Sequence, residues 1–359
     1  MVDHAYGDRK MILYIDEKYG FYELFNERNG TLLRSDIHGK DPIMRSFPEL
    51  LDVGVMGHCD HGELCSAAGI DCYQRGTIVQ KPNMSISDFE AIVRQASGKT
   101  FQIALGGAGD PNKHPDFERL LKICRKYRIV PNITTSGFDL SDEEIKAIKE
   151  YCGAVAVSWY SRLVCGRESN TNSIETVNRL ATHECNTNIH FVLSSDTLDE
   201  AIIRLQSNLF PPGVNAVVFL LYKPVGFGRP EKVIRASDIR LNSFFHAVLQ
   251  KHPFRIGFDT CFTPAIASRG NVFSPISIDS CEAALFSMYI DSELKCYPCS
   301  FGIWNEPNPD SLKNKTIREV WNGEQFSKFR KKKKQKCVGC SVANICRFGC
   351  QLGLEIDVC

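Results

Sequence analysis

The chain has 359 residues, 43% of them hydrophobic, and a formal charge of +1. That suffices for two or three globular domains, and the near-neutral balance leaves no field to recruit nucleic acid or an anionic membrane surface. The longest apolar runs, such as Ala216 to Leu221, are strand length, and the N-terminus lacks the basic-then-apolar layout of a secretory signal, so a cytoplasmic protein is expected. Sixteen cysteines then need a reason, because disulfides are rare in a reducing cytosol and clustered cysteines there act as metal ligands.

Residues 1–48 alternate apolar and polar in short runs, and Asn29-Gly30 between two of them is a hairpin signal. A small N-terminal β appendage is expected, acting as a cap on the next domain or as a peptide-binding edge. Residues 49–235 change to alternating strand and helix, with strand-like runs near 50–56, 101–105, 129–134, 154–159, 187–193 and 215–221. Ser87 to Glu90, Ser141 to Glu144 and Thr197 to Glu200 fit the capping box that opens a helix. Six successive βα units imply a parallel sheet, in which function gathers at the carboxyl ends of the strands.

Those strand ends carry the chemistry. Cys59, Cys65 and Cys72 share one loop directly after the first strand, spaced C-x5-C-x6-C. Three thiolates can hold three irons of a four-iron cluster and leave the fourth open to a ligand. The second strand runs into Gly106-Gly107-Ala108-Gly109-Asp110, where glycines admit a ligand to the backbone and Asp110 can accept a cationic amine; a phosphate site is an equal reading of the turn. The third ends in Thr134-Thr135-Ser136-Gly137, the fourth in Ser158-Trp159-Tyr160-Ser161, and Asn188 and His190 lie on the fifth. Singly, each is more often a turn or a helix cap; their shared edge is the signal.

Taken together, the cysteine loop ending in Cys72-Tyr73, the Gly-Gly-x-Gly-Asp turn and the Thr-Thr-Ser-Gly strand resemble the radical S-adenosylmethionine enzymes over about Glu49 to Arg235. The resemblance implies a partial (β/α)6 barrel. It implies that Cys59, Cys65 and Cys72 hold a [4Fe-4S] cluster whose open iron is chelated by S-adenosylmethionine. By the same match Gly106, Gly107 and Asp110 meet the amino group of that molecule, Tyr73 flanks its adenine, and Thr135, Ser136 and Ser158 are candidates for its carboxylate and ribose. The loop is longer than the family's C-x3-C-x2-C by two residues and then by four, and closing a few more residues costs little entropy. His58 and His61 are expected at the surface or as caps.

Residues 236–260 read as a bridge, with a helix from Ser237 to Lys251 and a strand at Phe254 to Phe258. Nine of the sixteen cysteines lie in 261–359, which marks a separate C-terminal module. The run Cys337-x2-Cys340-x5-Cys346-x3-Cys350 is a strong metal signal, and zinc and iron–sulfur clusters both accept four thiolates. The module resembles the SPASM domain, although Leu294 stands where a glycine is expected. That resemblance interlaces the ligands: Cys261, Cys281, Cys299 and Cys350 on one auxiliary [4Fe-4S] cluster, Cys337, Cys340, Cys346 and Cys359 on a second. Cys124 and Cys152 read as buried hydrophobes, Cys165 as a loop thiol, and Cys296 as an alternative ligand. The Arg330 to Lys334 run reads as a solvated helix end.

The expected function is a radical S-adenosylmethionine enzyme with three [4Fe-4S] clusters. Its 5′-deoxyadenosyl radical would abstract hydrogen from a ribosomally made peptide or protein, leading to a crosslink, epimerisation or backbone excision. No catalytic acid or base is assigned. The partners implied are a precursor peptide, a flavodoxin- or ferredoxin-type reductant and a small peptide-recognition protein. Ser300 follows the cysteine after which the sulfatase-maturating branch carries Asp, which argues against that activity. The alternatives are a small-molecule dehydrogenase and a non-catalytic iron–sulfur or zinc peptide-binding protein.

Overall fold

The computed structural model describes residues 11–164, 166–270, 272–274, 278–332, 334, 337–353, 356, 358 and 359. Its N-terminal strands β1 (Met11–Asp16), β2 (Phe21–Asn26) and β3 (Leu32–Asp36) form an antiparallel sheet in the order β1-β2-β3. Alternation decides its two faces. Phe21, Glu23 and Phe25 of β2 point inward, and the Phe25 ring stacks on Phe101 at 5.1 Å. Met11, Leu13, Ile15 and Leu33 stay exposed on the outer face. Beneath the sheet, fully buried Arg45 pairs with fully buried Glu23 at 2.7 Å and lies 3.7 Å from the Tyr14 ring. A buried charge is tolerated only when so paired.

The second layer is the α/β part. Strands β4 (Leu50–Met56), β5 (Gln102–Gly107), β6 (Val130–Thr135) and β7 (Val155–Ser158) are followed by the β8–β9 hairpin (Leu163–Val164 and Arg167–Glu168). Then come β10 (Thr187–Leu193), β11 (Ala216–Leu221), β12 (Arg255–Phe258), β13 (Ser287–Ile290) and β14 (Cys296–Tyr297). Among the described residues the main sheet has the order β12-β11-β10-β7-β6-β5-β4-β13-β14, parallel throughout except at β13–β14. Helices α1 (Gly62–Ala67), α2 (Ile86–Ala96), α3 (Phe117–Lys126), α4 (Asp142–Tyr151), α5 (Asn172–Thr182), α6 (Leu198–Gln206) and α7 (Arg240–Val248) connect the strands. The C-terminal part adds α8 (Thr263–Ala267), α9 (Ile317–Asn322), α10 (Glu324–Lys331) and α11 (Ala343–Cys346).

Alternate strand residues, including Leu51, Val53, Ile103, Leu105, Val155, Val157, Ile189 and Phe191, are at most 2% exposed. They pack on the apolar helix faces, such as Phe89, Ile92 and Val93 of α2 and Leu120, Leu121 and Cys124 of α3. The intervening residues, Asp52, Ala104, Asn132, Ser158, Asn188 and His190, face the other way and line the inner surface. The sheet curls, because the loops after β4 and β11 touch although four strands lie between them. Tyr222 donates to Asp71 at 2.8 Å, and the Phe227 N–H donates to the Cys72 carbonyl at 3.1 Å. This is the expected α/β partial barrel with its N-terminal β appendage.

Several local expectations shift. The capping box at Ser141 and Glu144 forms. At α2 the cap moves to Ser85, whose hydroxyl accepts from Asp88 N–H. Thr197 makes no side-chain cap; its hydroxyl donates to the Val192 carbonyl and accepts from Ser194 N–H, tying the β10 end to the turn instead. The helix expected from Ser237 to Lys251 is shorter, Arg240–Val248, and β12 joins the sheet beside β11 as a seventh βα-type strand. The Arg330 to Lys334 run is not uniformly solvated: Lys334 is buried and donates to the Gly353 carbonyl at 3.0 Å.

Candidate active site and cysteine clusters

The loop after β4 is set by close backbone approach. Gly107, at the β5 end, has φ +129°, and a Cβ there would collide with the Met56 carbonyl, so glycine is required where β4 bulges past β5. A Cβ on Gly109 would stand 2.5 Å from the His58 carbonyl oxygen. Gly106, by contrast, faces open space on the inner surface. The glycine turn and the cysteine loop are therefore packed on each other, with one glycine left free toward the interior.

Cys59, at the loop start, Cys65, in α1, and Cys72, beyond it, are brought together. Burial pushes the Cys59 thiol up, and Cys72 and Asp110 act on it in the same direction. Burial pushes Cys65 up to about 12, with Asp110, Cys59 and Cys72 adding to the rise and a hydrogen bond from Tyr160 opposing it. Polar hydrogens already point at the sulfurs: Gly76 N–H donates to Cys72 Sγ at 3.4 Å, and the His61 N–H reaches Cys59. Donors of this kind stabilise a ligating thiolate. Three converging thiols with such donors fit the open-iron cluster that the family resemblance implies.

Asp110 organises the neighbouring strand end. Its Oδ2 accepts from Thr135 Oγ1 at 2.9 Å, Ser136 N–H at 2.8 Å and Ser136 Oγ at 2.6 Å. Thr135 is fully buried and also contacts Asn112 at 3.0 Å, so its hydroxyl is engaged within the protein. His61 is neither a surface residue nor a side-chain cap: it is buried, 3.2 Å from Ser136 Oγ and 3.4 Å from Asp110. The bond to Asp110 raises its pKa against the opposing effect of burial. Ser158 ends β7 half-buried and is hydrogen-bonded to Tyr160, whose hydroxyl donates to Cys65.

Tyr73 lies against the C-terminal part. Its ring is 4.8 Å from Phe301, its carbonyl accepts from the Trp304 indole N–H at 2.7 Å, and Gln74 and Ser300 donate to its hydroxyl oxygen. Burial pushes its pKa up to about 12. Asp52, on the inner surface of β4, is raised to about 7 by burial alone. His190, on β10, is held down to about 4 by burial, with Asp259 acting the other way. Asp52, Tyr160 and the pair Lys223–Asp259 were not singled out as site residues from the sequence. The signal for Asp52 was a polar residue at an inward position of an otherwise apolar strand.

The C-terminal cysteines form two groups. Cys261 follows β12, Cys281 precedes β13, Cys299 follows β14, and Cys350 lies beyond α11. The Cys261 thiol donates to the Cys350 sulfur, which brings Cys350 down to about 5 and pushes Cys261 well up. Burial pushes Cys281 up to about 12 and Cys299 higher, and both sense Cys350. N–H groups of Ala283, Phe301, Leu352 and Gly353 point at Cys281, Cys299 and Cys350. In the second group, Cys346 is raised by burial and senses Cys359, Cys337 and Cys340. Cys296 belongs to neither: fully buried, its thiol contacts the Leu294 carbonyl at 3.9 Å. Among the described residues no three His, Cys, Asp or Glu side chains close on one point as a single ion requires. A four-iron cluster instead takes each thiolate on a different iron. Cys124 is buried as expected, Cys152 is half-buried, and Cys165 lies outside the described residues.

The tight turn between β13 and β14 explains Leu294. Asp291 Oδ1 accepts from Glu293 N–H and Lys295 N–H, and this loop forces Leu294 to φ +69°. That is the conformation a glycine adopts without strain, and here Leu294 holds it while its side chain is buried.

Residues 281–341 match the family model of the SPASM iron–sulfur cluster-binding domain. With the fold, this makes the chain an α/β partial barrel followed by a cysteine-rich segment similar to the SPASM iron–sulfur domain. Among solved structures, Streptococcus suis SuiB bound to S-adenosylmethionine superposes with a TM-score of 0.72 at 16% identity, over 96% of this chain and 95% of SuiB. SuiB bound to precursor peptide SuiA gives 0.74 at 16% identity over the same shares. Tagged anSMEcpe with bound AdoMet gives 0.62 at 16% identity, over 86% of this chain and 88% of its own. No curated protein matches the chain in sequence. Among the described residues no helix is long and apolar enough to cross a membrane.

Proposed function

We propose that the chain is a radical S-adenosylmethionine enzyme that modifies a ribosomally made peptide. The observation carrying this reading is the convergence of Cys59, Cys65 and Cys72 beside the Gly106–Asp110 turn and the Thr135–Ser136 strand end. When bound, the cluster on these thiolates would supply the electron that cleaves S-adenosylmethionine to methionine and a 5′-deoxyadenosyl radical, which abstracts hydrogen from an unactivated carbon. The chain's own residues do the rest. Gly106 leaves the backbone open to the methionine moiety, Asp110 offers its remaining oxygen to the amine, and Ser158 presents a hydroxyl to the ribose. Tyr73 provides an aromatic wall for the adenine, and the curled strands exclude water from the radical.

Cys261, Cys281, Cys299 and Cys350, and separately Cys337, Cys340, Cys346 and Cys359, would hold two fully ligated clusters suited to taking the second electron from the substrate radical, while a flavodoxin- or ferredoxin-type protein would reduce the cluster on Cys59, Cys65 and Cys72. A peptide substrate is supported by the likeness to SuiB, solved bound to precursor peptide SuiA. Among the described residues β1 is an edge strand of its sheet, and an extended peptide would pair with it by strand addition.

The test is anaerobic reconstitution, iron and sulfide counting, reduction, and addition of S-adenosylmethionine. About twelve irons per chain and release of 5′-deoxyadenosine are expected. Replacing Cys59, Cys65 and Cys72 by Ala should remove about four irons and all of the nucleoside. About eight irons, with no product and no effect of that triple replacement, would leave a cluster-bearing binding protein.

A further inference from the structure

Lys223 stands just past β11 with its side chain 3% exposed. Burying a lone ammonium is costly, so its surroundings must account for it. Its Nζ pairs with Asp259 at 2.9 Å, donates to the Leu221 carbonyl at 3.0 Å and lies 4.4 Å from the centre of the Phe301 ring. Those partners place it. Asp259 is two residues before Cys261, at the β12 edge of the sheet, and Phe301 is two residues after Cys299, beyond the β14 edge. The ammonium therefore bridges the end of β12 and the segment after β14, beside the stretches that carry Cys261 and Cys299. Its charge also acts on Cys261, Cys281, Cys299 and Cys350 alike, opposing the hydrogen bonding and burial that raise Cys261 and the burial that raises Cys281 and Cys299.

We propose that Lys223 is the residue that keeps the centre formed by Cys261, Cys281, Cys299 and Cys350 reducible, its fixed positive charge raising the reduction potential of that centre alone. This rests on the reading that those thiolates carry a four-iron cluster. The physical reason is the sign of the charge change. A four-iron cluster with four thiolates goes from a dianion to a trianion when it takes one electron. In a buried site, desolvation opposes the added charge and drives the potential down. A cation held in the same low-dielectric region opposes that penalty, and little water lies between to screen it. Asp259 partly cancels the cation and so sets how much of it the centre feels. One of its oxygens is bonded to Lys223, and the other is buried without a hydrogen-bond partner, which leaves its charge near Cys261 poorly shielded.

The pair makes predictions of opposite sign, which a merely structural role would not. Wild type, Lys223→Met, Lys223→Arg and Asp259→Asn are reconstituted as full-length chains, and each cluster's midpoint is measured by electrode titration followed by electron paramagnetic resonance. Lys223→Met should move one signal to more negative potential and leave the other two in place. At the wild-type midpoint its reduced-to-oxidised ratio should fall about tenfold, which for one electron is ~59 mV. Lys223→Arg should restore it, and Asp259→Asn should move the same signal upward. Full iron loading with no signal displaced in Lys223→Met overturns the role. If Lys223→Met fails to load iron, Asp259→Asn decides: an upward shift supports the role and an unmoved signal overturns it. Absence of cluster signals from the wild-type C-terminal cysteines would overturn the cluster reading first, and the iron count separates that failure from the other.

Discussion

Asp110→Asn tests the strand-end network most directly. The carboxylate is 14% exposed and accepts three hydrogen bonds, from Thr135 Oγ1, Ser136 N–H and Ser136 Oγ, at 2.6–2.9 Å. A hydrogen bond to a charged partner contributes about 1.5–3 kcal/mol, against about 0.5–1.5 for a neutral one. The variant keeps an amide oxygen as acceptor, so about 1 kcal/mol is lost per bond and about 3 kcal/mol in total. Unfolding entropy of about 2.1 cal/mol/K per residue makes that a fall of about 4 °C in Tm if the chain melts as one unit. His61 adds a pH dependence. Its folded pKa is raised, first by the bond to Asp110. The stabilisation from this pairing is complete below the unfolded value of about 6.5 and is lost as pH rises through the folded value. The gap between wild type and variant should therefore be widest near pH 5.5 and narrower at pH 8.5, by scanning calorimetry. An unchanged Tm, or a gap that widens with pH, would refute the argument. In parallel, S-adenosylmethionine affinity measured by calorimetric titration should fall in the variant.

Two further perturbations follow from geometry. Burial holds His190 down to about 4; the unfolded chain therefore binds the extra proton between about pH 4 and 6.5, so stability should fall by about 3 kcal/mol as pH drops through that window. His190→Gln should flatten that acid limb in denaturant titrations, and an unaltered limb would mean that the imidazole is solvated. Gly226 has φ +68°, and a Cβ there would collide with the Tyr73 carbonyl. Gly226→Ala should lose about 1–3 kcal/mol from backbone strain and weaken S-adenosylmethionine binding by displacing the Cys72–Tyr73 segment; a neutral melt together with unchanged affinity would contradict that packing.

Local pattern determined a good deal. The first strand, 50–56, is present as Leu50–Met56, because an apolar run ending at a glycine and cysteine loop has few other solutions. The six βα units are spaced as read, since the alternation of apolar and polar residues is a local property. The interlaced cysteine grouping came from family resemblance and not from local pattern; in the fold Cys350 acts on Cys261, Cys281 and Cys299, and Cys346 senses Cys337, Cys340 and Cys359.

Tertiary structure alone decided other points. Ser87 and Thr197 satisfied a local cap pattern, yet Ser85 caps α2, and the Thr197 hydroxyl turns to the β10 end, where it bonds the Val192 carbonyl and Ser194 N–H. His61 looks like a loop histidine until Asp110 and Ser136, more than forty residues on, close over it. Leu294 replaces an expected glycine, and only the Asp291 turn shows that the backbone there still adopts the left-handed conformation. Lys223 and Asp259 carry no motif at all. They become a pair only when β12 lies beside β11, because burial turns two ordinary surface charges into partners that neither can do without.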